Sequence, residues 1–160
     1  MKYTLVVLDE LDEVFALYRY VIKTTKTWDW NDQYPSKEMV KDDIINQNLV
    51  CLKDGDKIIA VSFIGDRQEA DPVKIWKLKI NKPARWARIC VHPNYQGKGI
   101  GRLFTENIIN DLKHKGYDGI RIIVAQENIA ALKLYNHFKF INQGEYIDND
   151  IKWFCYELQI

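Results

Sequence analysis

The sequence predicts an α/β (α+β) fold, a mixed sheet with helices on both faces, on three observations. Four segments read as helices, and two of them space their apolar side chains at the helical period. Strand-like runs fall between them, bounded by Gly, Pro, Asn and Asp. The order that results is β-α-α-β-β-β-β-α-β-α-β-β over 160 residues, a length that fits one domain, 1–160.

Each element has its own justification. Tyr3 to Leu8 is a short apolar run, read as a strand. Asp9 is placed to cap a helix whose buried face is Leu11, Val14, Phe15, Tyr18, Val21 and Ile22. Trp28 to Pro35 breaks that period and reads as an aromatic loop. Ser36 caps a second helix, expected to run to about Asn46. Leu49 to Leu52 and Lys57 to Ile64 form a hairpin with its turn at Asp54-Gly55. Gly65 to Pro72 is polar and turn-rich, and Val73 to Ile80 alternates apolar and charged side chains like a half-exposed strand. Lys82-Pro83 reads as a turn before a strand at Trp86 to Val91, which His92-Pro93 should stop.

The second half follows the same logic. Ile100, Leu103, Phe104, Ile108, Ile109 and Leu112 define an amphipathic helix that ends near Lys115-Gly116. Ile120 to Val124 is short and very apolar, as expected for a strand buried on both faces. Asn128 to His137 reads as a helix, and Phe140 to Tyr146 and Trp153 to Leu158 as two closing strands.

Composition narrows the function. Hydrophobic residues make up 47%, enough for a real core, and the net charge is +1. That balance argues against nucleic-acid binding through bulk charge. Cys51, Cys90 and Cys155 are odd in number and far apart, which fits neither a disulfide framework nor a zinc site, so no metal is expected. The apolar runs are too short to span a bilayer and no signal peptide is visible. The expectation is a cytoplasmic protein with no membrane partner, and a homodimer is left open.

The informative segment is Trp86 to Leu103. A strand ends at Val91, a short turn follows, and Gly97, Gly99 and Gly101 open a helix. Glycine allows close backbone approach and positive φ. The first N–H groups of a helix have no internal partner and sit at the positive end of its dipole. Together they suit a pyrophosphate, with Lys98 and Arg102 adding charge. A P-loop would need Ser or Thr after Gly97-Lys98, where Gly99 stands. The dinucleotide fingerprint would need a third glycine at Arg102.

The run Ile89-Cys90-Val91-His92-Pro93-Asn94-Tyr95-Gln96-Gly97-Lys98-Gly99-Ile100-Gly101 resembles the acetyl-CoA loop of the GNAT superfamily of N-acetyltransferases, whose pattern Gln/Arg-x-x-Gly-x-Gly/Ala is met by Gln96, Gly99 and Gly101. Downstream, Asn128, Ala131, Leu134, Tyr135 and Phe140 resemble the family's N-x-x-A-x-x-L-Y…F helix. The family often has glycine before that phenylalanine; Lys139 stands there, which implies a less tight helix end.

The resemblance implies a mostly antiparallel sheet with a splayed strand pair, Ile89 to Val91 on one strand and Ile120 to Val124 on the other. It implies acetyl-CoA as acetyl donor, bound by Ile89, Cys90, Val91, Gln96, Gly97, Lys98, Gly99, Ile100, Gly101, Arg102, Asn128 and Tyr135. It implies direct attack by a primary amine on the thioester, with Tyr135 as the acid for the leaving thiolate. The base is unassigned, because Ala87 and Arg88 stand where relatives often carry glutamate. His92 reads as a turn residue and Cys90 as an inert thiol. The aromatic loop, with Tyr34-Pro35 followed by Asp43-Ile44, resembles a subgroup of small bacterial members, and Trp28, Trp30 and Tyr34 are expected to wall the acceptor cleft. Asp29 and Asp32 could attract a cationic amine. The acceptor is a small molecule or a peptide; the alternative is a sensor that binds acetyl-CoA without turnover.

Overall fold

A computed structural model describes residues 1–66 and 75–160. Seven strands and four α-helices follow in the order β1 (Lys2–Leu5), α1 (Leu11–Thr24), α2 (Lys37–Ile45), β2 (Leu49–Asp54), β3 (Lys57–Gly65), β4 (Pro83–Val91), α3 (Ile100–His114), β5 (Gly119–Ala125), α4 (Ile129–His137), β6 (Ile141–Asp148) and β7 (Ile151–Gln159). The strands lie in one sheet in the order β1-β2-β3-β4-β5-β7-β6. The β4–β5 pair is parallel; β1–β2, β2–β3, β5–β7 and β6–β7 are antiparallel. The sheet is therefore mixed and mostly antiparallel, as expected.

The chain forms two compact units, Met1–Ile64 with Arg88–Asn107 and Gly65–Ala87 with Ile108–Ile160. In the first, β2 and β3 form a hairpin whose turn places Gly55 at φ 58°. Their side chains are buried almost throughout, Ile58 to Val61 being at most 2% exposed. Helix α1 buries Val14, Leu17, Tyr18 and Val21 and packs with α2. Helix α2 begins where Ser36 Oγ accepts the Met39 N–H at 3.1 Å, the cap the sequence predicts.

In the second unit β5 sits between β4 and β7. Its ladder with β4 runs from Pro83↔Gly119 to Trp86↔Ile122 and stops there, although both strands continue. Two residues beyond Trp86, Arg88 has φ 51°, which turns the β4 backbone out of ladder geometry. Helix α3 ends in a left-handed glycine, Gly116 at φ 76°, with the Gly116 and Tyr117 N–H groups returning to the Lys113 and Leu112 carbonyls at 3.0 Å each.

Several expectations are corrected. A single turn of 3-10 helix, Leu8–Glu10, precedes α1, because the Glu10 carboxylate takes the Val7 N–H at 3.0 Å; Asp9 is not the cap. Of the strand expected at 73–80, residues 73 and 74 lie outside the described residues, as does most of the 65–72 turn region. Residues 75–80 are not strand: the Lys77 and Leu78 N–H groups both go to Glu157 Oε2 at 2.9 Å, so a buried side chain replaces a ladder partner. Pro83 opens β4 instead of preceding it in a turn. On α3 the buried stripe is Ile100, Phe104, Ile108 and Leu112, and Leu103 is 38% exposed. In β5 Arg121 and Ile123 are only half-buried, so that strand is not covered evenly on both faces.

Candidate active site

The predicted site residues fall in both units. The glycine loop, Ile89, Cys90, Val91, Trp28, Trp30 and Tyr34 belong to the first; Asn128 and Tyr135 belong to the second.

The loop is built by short-range bonds. Pro93–Tyr95 is a single 3-10 turn held by the Tyr95 N–H on the His92 carbonyl at 2.8 Å. The Gln96 side chain donates from Nε2 to the Val91 carbonyl at 2.9 Å and closes the loop onto the end of β4. Tyr95 is tied to the β2–β3 turn through its hydroxyl on Asp54 Oδ2 at 3.1 Å, and Lys98 lies 5.8 Å from its ring. Gly97 and Gly99 have φ of 72° and 80°, the left-handed region that disfavours other residues. Gly101 lies in the first turn of α3. A Cβ at Gly97 or Gly99 would meet open space, so a side chain there would be opposed by backbone conformation and by what binds, not by the protein's own packing.

The consequence is a run of free donors. The first N–H to return to the protein is that of Leu103, on the Gly99 carbonyl at 3.0 Å. Among the described residues, none of the N–H groups from Gly97 to Arg102 donates to the protein in good hydrogen-bond geometry, although residues 96–99 form a turn. Six consecutive donors at the start of a fifteen-residue helix form an anion cradle, with the helix dipole behind it. Gln96, Gly97, Lys98, Gly99 and Arg102 are exposed there, Gly101 is half-buried, and Ile100 turns inward as a core residue.

On β4, Ile89 and Val91 are half-buried and Cys90 is 3% exposed. Burial pushes the Cys90 thiol well above the ordinary range, so it is not a ready thiolate. His92 accepts the Asn94 N–H on Nδ1 at 3.2 Å. That bond occupies the one lone pair of the neutral ring, and burial and nearby Lys57 hold its pKa below the ordinary value. His92 is thereby a turn residue and a poor base.

Tyr135 is 3% exposed at the end of an aromatic cluster. Its ring centroid lies 5.5 Å from Phe140, 5.8 Å from Trp86 and 6.0 Å from Tyr156. Among the described residues its hydroxyl makes no hydrogen bond. Burial raises the phenol well above its usual pKa and keeps it protonated at neutral pH. Asn128 caps α4, its Oδ1 accepting the Ala131 N–H at 3.2 Å.

Loop 27–35 is held from inside. Arg19 donates to the Asn31 and Pro35 carbonyls at 2.7 Å each, and Asn31 Oδ1 takes the Gln33 and Tyr34 N–H groups at 2.8 and 3.0 Å. Trp28, Trp30 and Tyr34 are all half-buried, while Asp29 and Asp32 are exposed. Trp30 meets Tyr18 edge-on at 5.3 Å, and Lys26 lies 5.7 Å over Trp28.

Beneath this loop is a feature that spacing along the chain does not reveal. Arg88, from the turned-out β4 residue, donates from Nη2 to Asp43 Oδ2 at 2.5 Å, and both side chains are 2% exposed. Its guanidinium lies 4.6 Å from the Phe63 ring centre, and its carbonyl accepts the Tyr18 hydroxyl at 3.2 Å. Burial works against the Arg88 charge, but its surroundings, with Asp43 paired to it, outweigh burial and raise its pKa. The sequence singles out Asp43 and Arg88 separately, and nothing in their spacing joins them.

The sequence model of the Acetyltransferase (GNAT) family matches residues 12–140. The chain belongs to this family. Over 52 residues it is 36% identical to the [ribosomal protein bS18]-alanine N-acetyltransferase of Escherichia coli, a match covering 32% of this chain and 35% of that protein. Over 50 residues it is 38% identical to the mycothiol acetyltransferase of Beutenbergia cavernae, covering 31% of this chain and 17% of that one. The matched segment thus spans about a third or less of these relatives' length. Among solved structures, a GNAT-family acetyltransferase from Streptococcus pneumoniae superimposes with a TM-score of 0.78 at 18% identity, over 99% of this chain and 98% of the other. PaiA N-acetyltransferase from Thermoplasma acidophilum, in complex with coenzyme A, gives 0.76 at 17%, over 99% and 98%. YncA from Salmonella typhimurium, with its cofactor acetyl-CoA, gives 0.76 at 15%, over 99% and 93%. These likenesses establish the fold. The family uses acetyl-CoA as its acetyl donor, and the free donors of the loop fit its pyrophosphate. No helix among the described residues is long and apolar enough to cross a membrane.

Proposed function

We propose that this GNAT-family chain transfers an acetyl group from acetyl-CoA to a primary amine of a small molecule or peptide, in the cytoplasm, by direct attack of the amine on the thioester. The observation that carries the reading is the run of unpartnered N–H groups from Gly97 to Arg102 on a helix start. Acetyl-CoA supplies the activated acyl group when bound. Gln96 to Arg102 hold its pyrophosphate, and Ile89, Cys90 and Val91 line its thiol-bearing arm, their backbone N–H groups polarising the thioester carbonyl. Asn128 contributes to the cofactor side while capping α4. Tyr135 gives its proton to the departing thiolate; its high pKa keeps that proton in place until charge develops.

The amine must be neutral to attack, and its proton leaves to solvent, since Ala87 and Arg88 stand where relatives often carry glutamate and His92 has its lone pair occupied. Trp28, Trp30 and Tyr34 form the acceptor wall. The relatives' names place both protein and small-molecule amines among GNAT substrates, so the test spans both. Thiol release from acetyl-CoA is measured with a peptide bearing N-terminal alanine, glucosamine, spermidine and tyramine. Turnover of one or more is expected. Trp30→Ala should raise the acceptor KM and leave acetyl-CoA affinity nearly intact. A fall in melting temperature with no kinetic change would make Trp30 a core residue, worth about 3–5 kcal/mol of packing. Tight acetyl-CoA binding with no turnover across the panel would favour a sensor.

A further inference from the structure

We infer that Lys57 and Lys98, gathered at the Tyr95 ring beside the glycine loop, bind the ribose 3′-phosphate of coenzyme A and make the protein selective for a cofactor that carries it. This inference rests on the reading of the loop as the pyrophosphate site.

Two cations from different elements converge on one ring. Lys57 opens β3 and Lys98 lies inside the glycine loop, and each ammonium is 5.8 Å from the centre of the Tyr95 ring. Cation–π attraction draws each toward the ring, but like charges brought to one place repel. Among the described residues neither ammonium has a carboxylate partner to offset that repulsion. The carboxylate at hand is Asp54, which faces Lys57 across the β2–β3 ladder. It accepts the Tyr95 hydroxyl at 3.1 Å and forms no ion pair with that lysine. Both lysines are exposed, so their charge is open to a ligand.

The ring that gathers them is tied on both sides. Its hydroxyl is bound to the hairpin through Asp54, the Tyr95 N–H donates to the His92 carbonyl at 2.8 Å, and the His92 ring meets it edge-on at 5.7 Å. Tyr95 stands two residues before Gly97, where the run of free N–H groups begins, so the two cations sit next to the cradle. The phosphates of coenzyme A differ in what they need. A pyrophosphate suits backbone N–H groups at a helix start. The 3′-phosphate is a monoester, and such a group carries about −1.5 to −2 charges at pH 7. It calls for cations, and an ammonium is a compact charge that serves phosphate well. The ribose joins the two groups, which places the second anion beside the first. Lys57 lies outside the loop motif, so spacing along the chain does not announce it.

Calorimetric titration of the full chain with coenzyme A and with 3′-dephospho-coenzyme A tests this. Coenzyme A is expected to bind roughly tenfold to a hundredfold more tightly, the worth of charge-assisted hydrogen bonds to the monoester. Lys57→Gln should weaken coenzyme A by about fivefold to tenfold and leave dephospho-coenzyme A nearly unchanged, while Lys57→Arg keeps the preference. Lys57→Gln combined with Lys98→Gln should bring the two ligands to nearly equal affinity. Both positions are exposed, so the variants should melt within about 2 °C of the unaltered protein. Equal affinities of the two ligands for the unaltered protein would overturn the inference, and that comparison needs no variant. An equal loss for both ligands in Lys57→Gln would overturn it too, since general attraction of anions predicts that result. Binding of neither ligand would remove the pyrophosphate reading beneath it, an outcome distinct from tight binding without preference.

Discussion

Tyr135 shows how one residue's surroundings decide its chemistry. Its phenol lies among Trp86, Phe140 and Tyr156, and burial raises its pKa. A group of this kind is a poor base and a persistent donor. The reference phenol pKa is about 10, so the folded value is higher and the proton stays on through neutral and mildly alkaline pH. The expected pH profile of kcat/KM rises as the acceptor amine loses its proton and then levels, with no descending limb from Tyr135 below about pH 10. Tyr135→Phe should scale that profile down by about 10²–10⁴-fold without moving its rising limb, and affect acetyl-CoA binding much less. A descending limb below that pH that disappears in the variant would mean the phenolate forms early and the acid role is wrong. Arg88 makes the complementary point. That Ala87 and Arg88 stand where relatives often carry glutamate is visible in the sequence, but the left-handed Arg88 backbone and its bond to Asp43, 45 residues away, are not. Side-chain pairing at that separation leaves no period or turn signal to read.

Among the elements, those fixed by local chemistry were legible. Ser36 and Asn128 cap α2 and α4 through side chains that bond three residues on, and Gly116 ends α3 at positive φ. The strand expected at 73–80 is absent from its described part, 75–80, because alternation there meets a carboxylate from β7 rather than a neighbouring strand. Glu157 is fully buried, accepts two backbone N–H groups and pairs with Arg121 at 3.1 Å. Helix α4 carries a testable departure. Lys139 occupies its left-handed stop at φ 62°, with the Lys139 and Phe140 N–H groups returning to Asn136 and Tyr135 at 3.0 Å each. The stop forms despite lysine, so the sequence's hint of a looser end concerns energy rather than geometry. Left-handed backbone costs a non-glycine residue roughly 1–2 kcal/mol, and glycine's extra freedom in the unfolded chain returns part of any gain. Lys139→Gly should therefore stabilise the protein by about 0.5–1 kcal/mol, a rise of roughly 1–4 °C in melting temperature for a chain of this length. A lower melting temperature would show that the Lys139 side chain contributes more than its backbone costs.

For the whole molecule, the informative quantity is how binding at the loop changes the stability of the folded chain. A ligand that binds only the folded state stabilises it by about 2.7 kcal/mol at a hundredfold excess over its dissociation constant. At roughly 2–4 °C per kcal/mol, that is a rise of about 5–11 °C in melting temperature. Coenzyme A should give nearly the same rise as acetyl-CoA, because the proposed cradle from Gly97 to Arg102 would meet the phosphates and not the acetyl group. Gly99→Val should lower the melting temperature of the free protein, since a β-branched residue at φ 80° is strained, and should abolish the rise. The loss of stability alone does not identify the loop, so the comparison needs a second glycine in the same backbone region. Gly116, at φ 76° beyond the end of α3, provides it. Gly116→Val should lower the free protein's melting temperature similarly while keeping the full coenzyme A shift. Open space around both glycines removes steric crowding as a difference between them. If Gly99→Val retained the shift and Gly116→Val lost it, the phosphates would lie elsewhere, and the free N–H groups of the loop would be an ordinary exposed helix start.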